Sequence, residues 1–183
     1  YIDTTKRDVI KKDIKTAYLG TEEEAGWHSV KSYYETESGG KLNISGTVTN
    51  WYEPDVTSKE VSNRGSGFTA QLVEGAVDWF FNEHSNISRS DYDSDGDGYM
   101  DAVMLIYAAP DYQIYGNNDN LWAYCSWLQE ENETVMNPIP NVYFWASYDF
   151  MYNSTSAKSR TGNEYANGDT SHCTIDAHTF IHE

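Results

Sequence analysis

The segment DYDSDGDGYMDAVMLIYAA, residues 91–109, sets five aspartates directly ahead of an unbroken apolar run. Its two halves make opposite demands on any fold. Residues 102–109 have strand length and no charged position, which predicts a central strand buried on both faces. Residues 91–101 must stay in water or on an ion, because carboxylates at close range repel one another. A hard divalent cation satisfies that need, since calcium takes about six to eight oxygen ligands. With Asp93 in the first position of a calcium loop, Asp95 falls third, Asp97 fifth, Gly98 at the sharp turn, the Tyr99 carbonyl seventh and Asp101 ninth. The twelfth position is Met104 rather than the bidentate Glu of an EF-hand, and a strand follows where an EF-hand has a helix. The expectation is an EF-like calcium loop outside an EF-hand fold, with Asp93, Asp95, Asp97, Tyr99 and Asp101 as ligands. A solvated Asp-Gly turn without an ion is the alternative.

Around this segment the chain reads as helices and strands in turn. Residues 4–19 place Val9, Ile10, Ile14, Ala17 and Tyr18 at helical spacing, and Gly20 stops the pattern. A second helix is expected over 25–36, with Trp27, Val30 and Tyr34 on one stripe and Gly39-Gly40 after it. Residues 41–52 alternate Leu42, Ile44, Gly46 and Val48, which predicts a strand, and 53–66 read as a polar loop. Residues 68–84 form the clearest helix, with Leu72, Val73, Ala76, Val77, Phe80 and Phe81 on one side. Residues 110–172 predict short strands joined by long loops. From about Cys173 to the end a helix is expected, with Ile175, Thr179 and His182 on one face. This order gives an α+β or α/β fold, taken as a single domain over 1–183.

Composition narrows the partners. The 183 residues carry 15% aromatics and 39% hydrophobic residues, enough for a real core. Against 12 Lys+Arg stand 29 Asp+Glu, a net charge of -17, which argues against nucleic acid or an anionic membrane as partner and suits calcium. No apolar run is long enough for a membrane span. The chain begins at Tyr1 with no signal peptide, which leaves secretion open. Cys125 and Cys173 could pair or stay free, and Asn43, Asn86, Asn132 and Asn153 each open an Asn-x-Ser/Thr sequon. A metal-independent hydrolase has no support, because neither a Gly-x-Ser-x-Gly elbow nor a phosphate-cradling Gly-rich loop is present.

The chain closes on HTFIHE, residues 178–183. Zinc peptidases use two imidazoles four residues apart on a helix, with a glutamate beside the first to hold and deprotonate the metal-bound water. His182 and Glu183 supply the first imidazole and the base, and the second imidazole would fall at position 186. Alone the pair carries little, since about 0.4 His-Glu pairs are expected by chance at this composition. His178 and His182 are also four apart and could bind a transition metal, with His172 nearby as a third donor. The preferred reading takes His172 and His178 as ordinary polar residues at a loop and a helix start, because such pairs are common without metal.

The order of features adds what no single motif does. GWHSVKSYYETESGGKLNISGTVTNWY (26–52), SDYDSDGDGYMDAVMLIYAA (90–109), NLWAYCSWL (120–128) and TFIHE (179–183) together resemble the immune inhibitor A family of secreted bacterial metallopeptidases. In that family a Ser-Val-x-x-Tyr-Tyr helix leads into a Ser-x-Gly-Lys-Leu strand and a Trp-Tyr. A helix, an Asp-Gly-Asp-Gly loop, an apolar strand, a Trp-containing segment and the HExxH helix then follow. The resemblance implies the N-terminal portion of an α+β, zincin-like catalytic domain, with a mixed sheet and the active-site helix at its C-terminal end. It also implies catalytic zinc, structural calcium, a protein or peptide substrate, and a place outside the cell or on its surface. His182 then corresponds to the first zinc ligand and Glu183 to the general base, and the five loop ligands named above fall in the family's acidic loop. Two departures stand out. The Trp segment here, Trp122 to Trp127, holds no histidine where the family often reads Trp-Ser-His-x-Trp. The second and third zinc ligands would lie past Glu183, so the chain is expected to be part of a longer catalytic domain. The alternative is a non-catalytic, calcium-stabilised extracellular binding domain or an inactive peptidase homologue, and a histidine at 186 would separate the two.

Overall fold

The helices start and stop where local chemistry dictates. In the computed structural model, which describes residues 6–109, 121–128, 131–132, 134–152 and 175–183, α1 covers Arg7–Leu19 and ends at Gly20. The helix expected over 25–36 is instead two. Helix α2 (Glu22–Ala25) starts on a capping box between Thr21 and Glu24 and ends at Gly26, whose φ of 75° is the left-handed conformation a side chain would resist. Helix α3 (Val30–Glu37) restarts on a second capping box between Ser29 and Ser32. It closes as expected at Gly39-Gly40: the Gly40 N–H reaches the Glu35 carbonyl at 2.8 Å and the Gly39 N–H reaches that of Thr36 at 3.0 Å, a Schellman ending.

Three further expectations change. Residues 41–52 form no strand, because a strand needs a partner ladder and none pairs with them among the described residues; Leu42 is 47% exposed. The polar 53–66 segment contains α4 (Ser58–Ser62), started by a capping box between Thr57 and Glu60. Helix α5 (Ser66–Glu83) matches its expectation and buries Leu72, Val73, Val77 and Phe80.

The sheet also differs in detail. Strand β1 (Val103–Tyr107) arises in the apolar run, β2 is Tyr124–Trp127 and β3 is Val142–Ser147, in the spatial order β1-β3-β2. Strands β2 and β3 are antiparallel, with Tyr124 opposite Trp145 and Trp127 opposite Val142. A parallel bridge between Tyr99 and Ile139 leads into β1 and β3, which makes the sheet mixed. Among the described strands the central, most buried one is therefore β3, and not the run at 102–109: Met104 on β1 is 46% exposed, whereas Tyr143 to Ser147 are all buried. An apolar run reports hydrophobicity but not which strands flank it.

The chain sorts into two compact units, 1–50 with 108–110 and 147–183, and 51–107 with 111–146. In the first, α1 packs against α3 and a 3-10 turn at Tyr148–Tyr152, and both of these contact the last helix, α6 (His178–His182). Ile10, Ile14, Val30, Met151, Ile175 and Phe180 form its core, each worth about 1.5–3 kcal/mol when fully buried. In the second unit, the buried Thr69 of α5 accepts a hydrogen bond at 3.1 Å from Tyr124 of β2, and burial pushes the Tyr124 phenol up to about 12. The mixture of helices with a small sheet is the α+β class expected.

Candidate functional site

The acidic loop belongs to the second unit and is held at both ends. On its N-terminal side, a 3-10 turn at Arg89–Tyr92 is tied to α5 by Arg89, whose guanidinium lies 2.6 Å from the Asp78 carboxylate and 4.9 Å above the Phe81 ring. On its C-terminal side, the Ile139 N–H donates to the Gly98 carbonyl at 3.1 Å and the Met100 N–H donates to the Ile139 carbonyl at 2.9 Å. That parallel pairing uses the Gly98 carbonyl and the Met100 N–H, which leaves the Tyr99 N–H to the loop side. The Tyr99 N–H accordingly donates to Asp97 Oδ1 at 2.8 Å.

Within the loop, Asp93 is the organiser. Its Oδ1 accepts from the Gly96 N–H at 2.8 Å and the Asp97 N–H at 3.2 Å, and its Oδ2 accepts from Gly98 at 3.0 Å. Asp101 Oδ1 accepts from the Ser94 N–H at 3.1 Å. Carboxylate oxygens of Asp93, Asp95 and Asp101 all lie within 4.8 Å of one another. Asp97 stands outside that group, its Oδ1 being turned to the Tyr99 amide. Of the five expected ligands, the structure thus gathers the first, third and ninth and leaves the fifth aside. Hard oxygen donors at this spacing fit calcium.

Sequence reasoning missed Asn132. Its Nδ2 donates to the Gly98 carbonyl at 2.6 Å and to that of Asn137 at 3.3 Å, while its backbone N–H donates to the Tyr99 hydroxyl at 3.0 Å. This side chain clamps the sharp turn from outside. The only local signal was its sequon, which points to modification and not to a structural clamp.

The His-Glu pair lies in the first unit, at the end of α6. Helix α6 spans five residues, far fewer than the stretch expected from Cys173; Cys173, His172 and Asn153 lie outside the described residues. Phe180 is buried and stacks on Tyr18 at 5.1 Å, and the Tyr34 hydroxyl donates to the Ile181 carbonyl at 3.0 Å. These contacts fix the inner face of α6. His178, His182 and Glu183 are exposed and Thr179 is half-buried; Ile175 precedes the helix, so it does not share a helical face with Thr179 and His182 as expected. The His178 and His182 rings lie 6.2 Å apart with planes at 11°. Among the described residues, no group of three potential metal ligands includes His182. Tetrahedral zinc in a peptidase needs three protein ligands, which these residues do not complete.

A family model for the immune inhibitor A peptidase M6 catalytic domain matches residues 11–157, most of the chain. The chain belongs to the immune inhibitor A peptidases. Membership makes it a metallopeptidase-type domain whose substrate class is protein or peptide. The matched M6 region includes the whole acidic loop and ends before His182 and Glu183. No curated protein and no solved structure matches the chain. No described helix is long and apolar enough to cross a membrane.

Proposed function

We propose that this M6 domain is part of a secreted, zinc-dependent endopeptidase in which His182 is the first zinc ligand and Glu183 the general base, with calcium bound at the acidic loop. The observation that carries the reading is the M6 match over 11–157, followed in the same chain by a His-Glu pair at the end of an anchored helix. Zinc, when bound, supplies Lewis acidity. The Glu183 carboxylate takes a proton from the attacking water and returns it to the leaving amine. The second imidazole belongs at position 186, one helical turn after His182. At the loop, Asp93, Asp95 and Asp101 offer carboxylates and Tyr99 a carbonyl, and calcium there braces the entry to β1 without taking part in chemistry.

The test is cleavage of casein by the purified protein, with metal content measured on the same sample. Cleavage should be lost on chelation, and Glu183→Ala should lower kcat by at least about 100-fold while zinc content is unchanged. Cleavage that survives Glu183→Ala would overturn the assignment of the base. No cleavage from a sample that still binds calcium would support the non-catalytic binding domain instead.

A further inference from the structure

We propose that a lysine-lined groove along α1 docks a short acidic segment of another protein in extended form. The groove is a hollow of about 510 Å³ between the helix and residues 46–48, lined by Asp8, Lys11, Lys12 and Lys15 and by Gly46 and Val48. Residues 8, 11, 12 and 15 recur at helical spacing, so they share a face turned away from the buried stripe of Ile10, Ile14 and Ala17. The chain has 29 Asp+Glu against 12 Lys+Arg, yet none of these three lysines forms an ion pair among the described residues. Lys11 Nζ donates instead to the neutral Asn50 Oδ1 at 2.6 Å. Glu24 of α2 is held below its ordinary value first by the Thr21 N–H and hydroxyl, with Lys15 and Lys12 lesser causes, and its carboxylate is turned to that N–H at 2.9 Å. Three ammoniums against the one carboxylate of Asp8 repel one another, and a row of carboxylates from outside relieves them.

Spacing selects the ligand. Lys11 and Lys15 lie four residues apart, about 6 Å along the helix. Alternate side chains of an extended peptide point the same way about 6.6–6.8 Å apart. Acidic residues at alternate positions therefore meet successive lysines. The wall opposite the helix leaves room for a peptide backbone, since a Cβ on Gly46 would meet nothing within 4 Å. The net charge of -17 sets the length. A long polyanion would run off the lysines onto acidic surface, whereas a short segment stays in the groove, and at physiological ionic strength charges beyond about 8 Å are largely screened. Lys12 and Lys15 are exposed and Lys11 is half-buried, the usual state of ammonium groups, which are almost never fully buried unless paired. The inference rests on charge and spacing along α1 and not on the peptidase reading.

Fluorescence polarisation of a labelled octapeptide of alternating glutamate and serine, titrated with the full chain under chelation, tests the proposal. Wild type should bind it at least about threefold tighter than an octapeptide with the same glutamates in one block, because only alternate side chains face the lysines. Lys11→Gln, Lys12→Gln and Lys15→Gln together should weaken binding about tenfold, as expected for three exposed ion pairs. Lys11→Arg, Lys12→Arg and Lys15→Arg together keep the charge and should bind within about twofold of wild type. Lys59→Gln, on α4, should leave binding unchanged, and thermal melts should show each variant folded. No binding by wild type, equal affinity for the two peptides, or an equal loss in Lys59→Gln would overturn the groove. Tighter binding of inorganic polyphosphate than of the octapeptide would overturn the peptide as occupant. Self-association of wild type that the glutamine variant loses would overturn it in favour of a second copy of this chain. Because binding is read without metal or cleavage, its failure and failure of the peptidase assignment are separable.

Discussion

At Gly98 the backbone runs through a φ of 91°, and a Cβ there would lie 3.0 Å from the Val135 Cα and 3.1 Å from Asn132 Nδ2. Two independent causes therefore demand glycine: a left-handed conformation and backbone contact from a second segment. Gly98→Ala should cost on the order of 1–3 kcal/mol and weaken calcium binding, read as a lowered melting temperature and a right-shifted calcium titration. An unchanged melt would mean that the loop relaxes freely. The need for glycine at this turn was legible from its place in the Asp-x-Asp-x-Asp-Gly register. The clamp on it was not, since Asn132 lies 34 residues away in sequence. Nor could spacing show that Asp97 would give its oxygen to the Tyr99 amide and stay out of the carboxylate cluster.

Among the elements, four helical starts share one device, the Ser29-Ser32 box of α3 among them. Thr21-Glu24 and Thr57-Glu60 are Thr-x-x-Glu capping boxes, and Ser88-Asp91 does the same for the 3-10 turn that leads into the loop. The Glu60 carboxyl is held below its ordinary value of 4.5, first by the Thr57 backbone N–H and then by the Thr57 hydroxyl. Its folded form is thus favoured when ionised. The stabilisation is present above the unfolded value of 4.5 and is lost as pH falls through the lower folded value. Thr57→Ala should lower the melting temperature at neutral pH and flatten the decline on the acid side of 4.5, as measured by melts across pH; an unaltered acid decline would count against this cap. These signatures were available in the sequence and mark both α2 and α4, which hydrophobic periodicity alone merged or passed over. Helix α6 depends instead on long-range contact. The Tyr34–Ile181 bond joins residues 147 apart, and Tyr34→Phe should cost about 0.5–1.5 kcal/mol. In an active protein the same change should lower kcat more than it raises KM, because it loosens the helix carrying His182 and Glu183. A variant with wild-type melting and turnover would show that Phe180 packing is enough.

On the scale of the whole molecule, a net charge of -17 gives calcium, if it binds the loop as proposed, two routes to stabilise the protein, specific ligation and general screening. They are separable. Calcium at about 100 times its Kd should stabilise the protein by about 2.7 kcal/mol if it binds the native state alone. Sodium chloride at matched ionic strength should not reproduce that rise in melting temperature, and Asp93→Asn with Asp95→Asn and Asp101→Asn should abolish it. An equal rise in sodium chloride would reduce the effect to screening. The sequence by itself determined whatever depends on neighbours along the chain: α1 and α5 from apolar periodicity, the Gly20 and Gly39-Gly40 stops, the acidic loop register, and the family from the order of its motifs. Tertiary structure decided whatever depends on a distant partner. Among the described residues it left 41–52 without a ladder, made β3 and not β1 the buried strand, and set Asn132 against Gly98. The physical reason is that periodicity and turn chemistry are written in local backbone preference, while strand pairing, burial and clamping exist only when segments far apart in the chain meet.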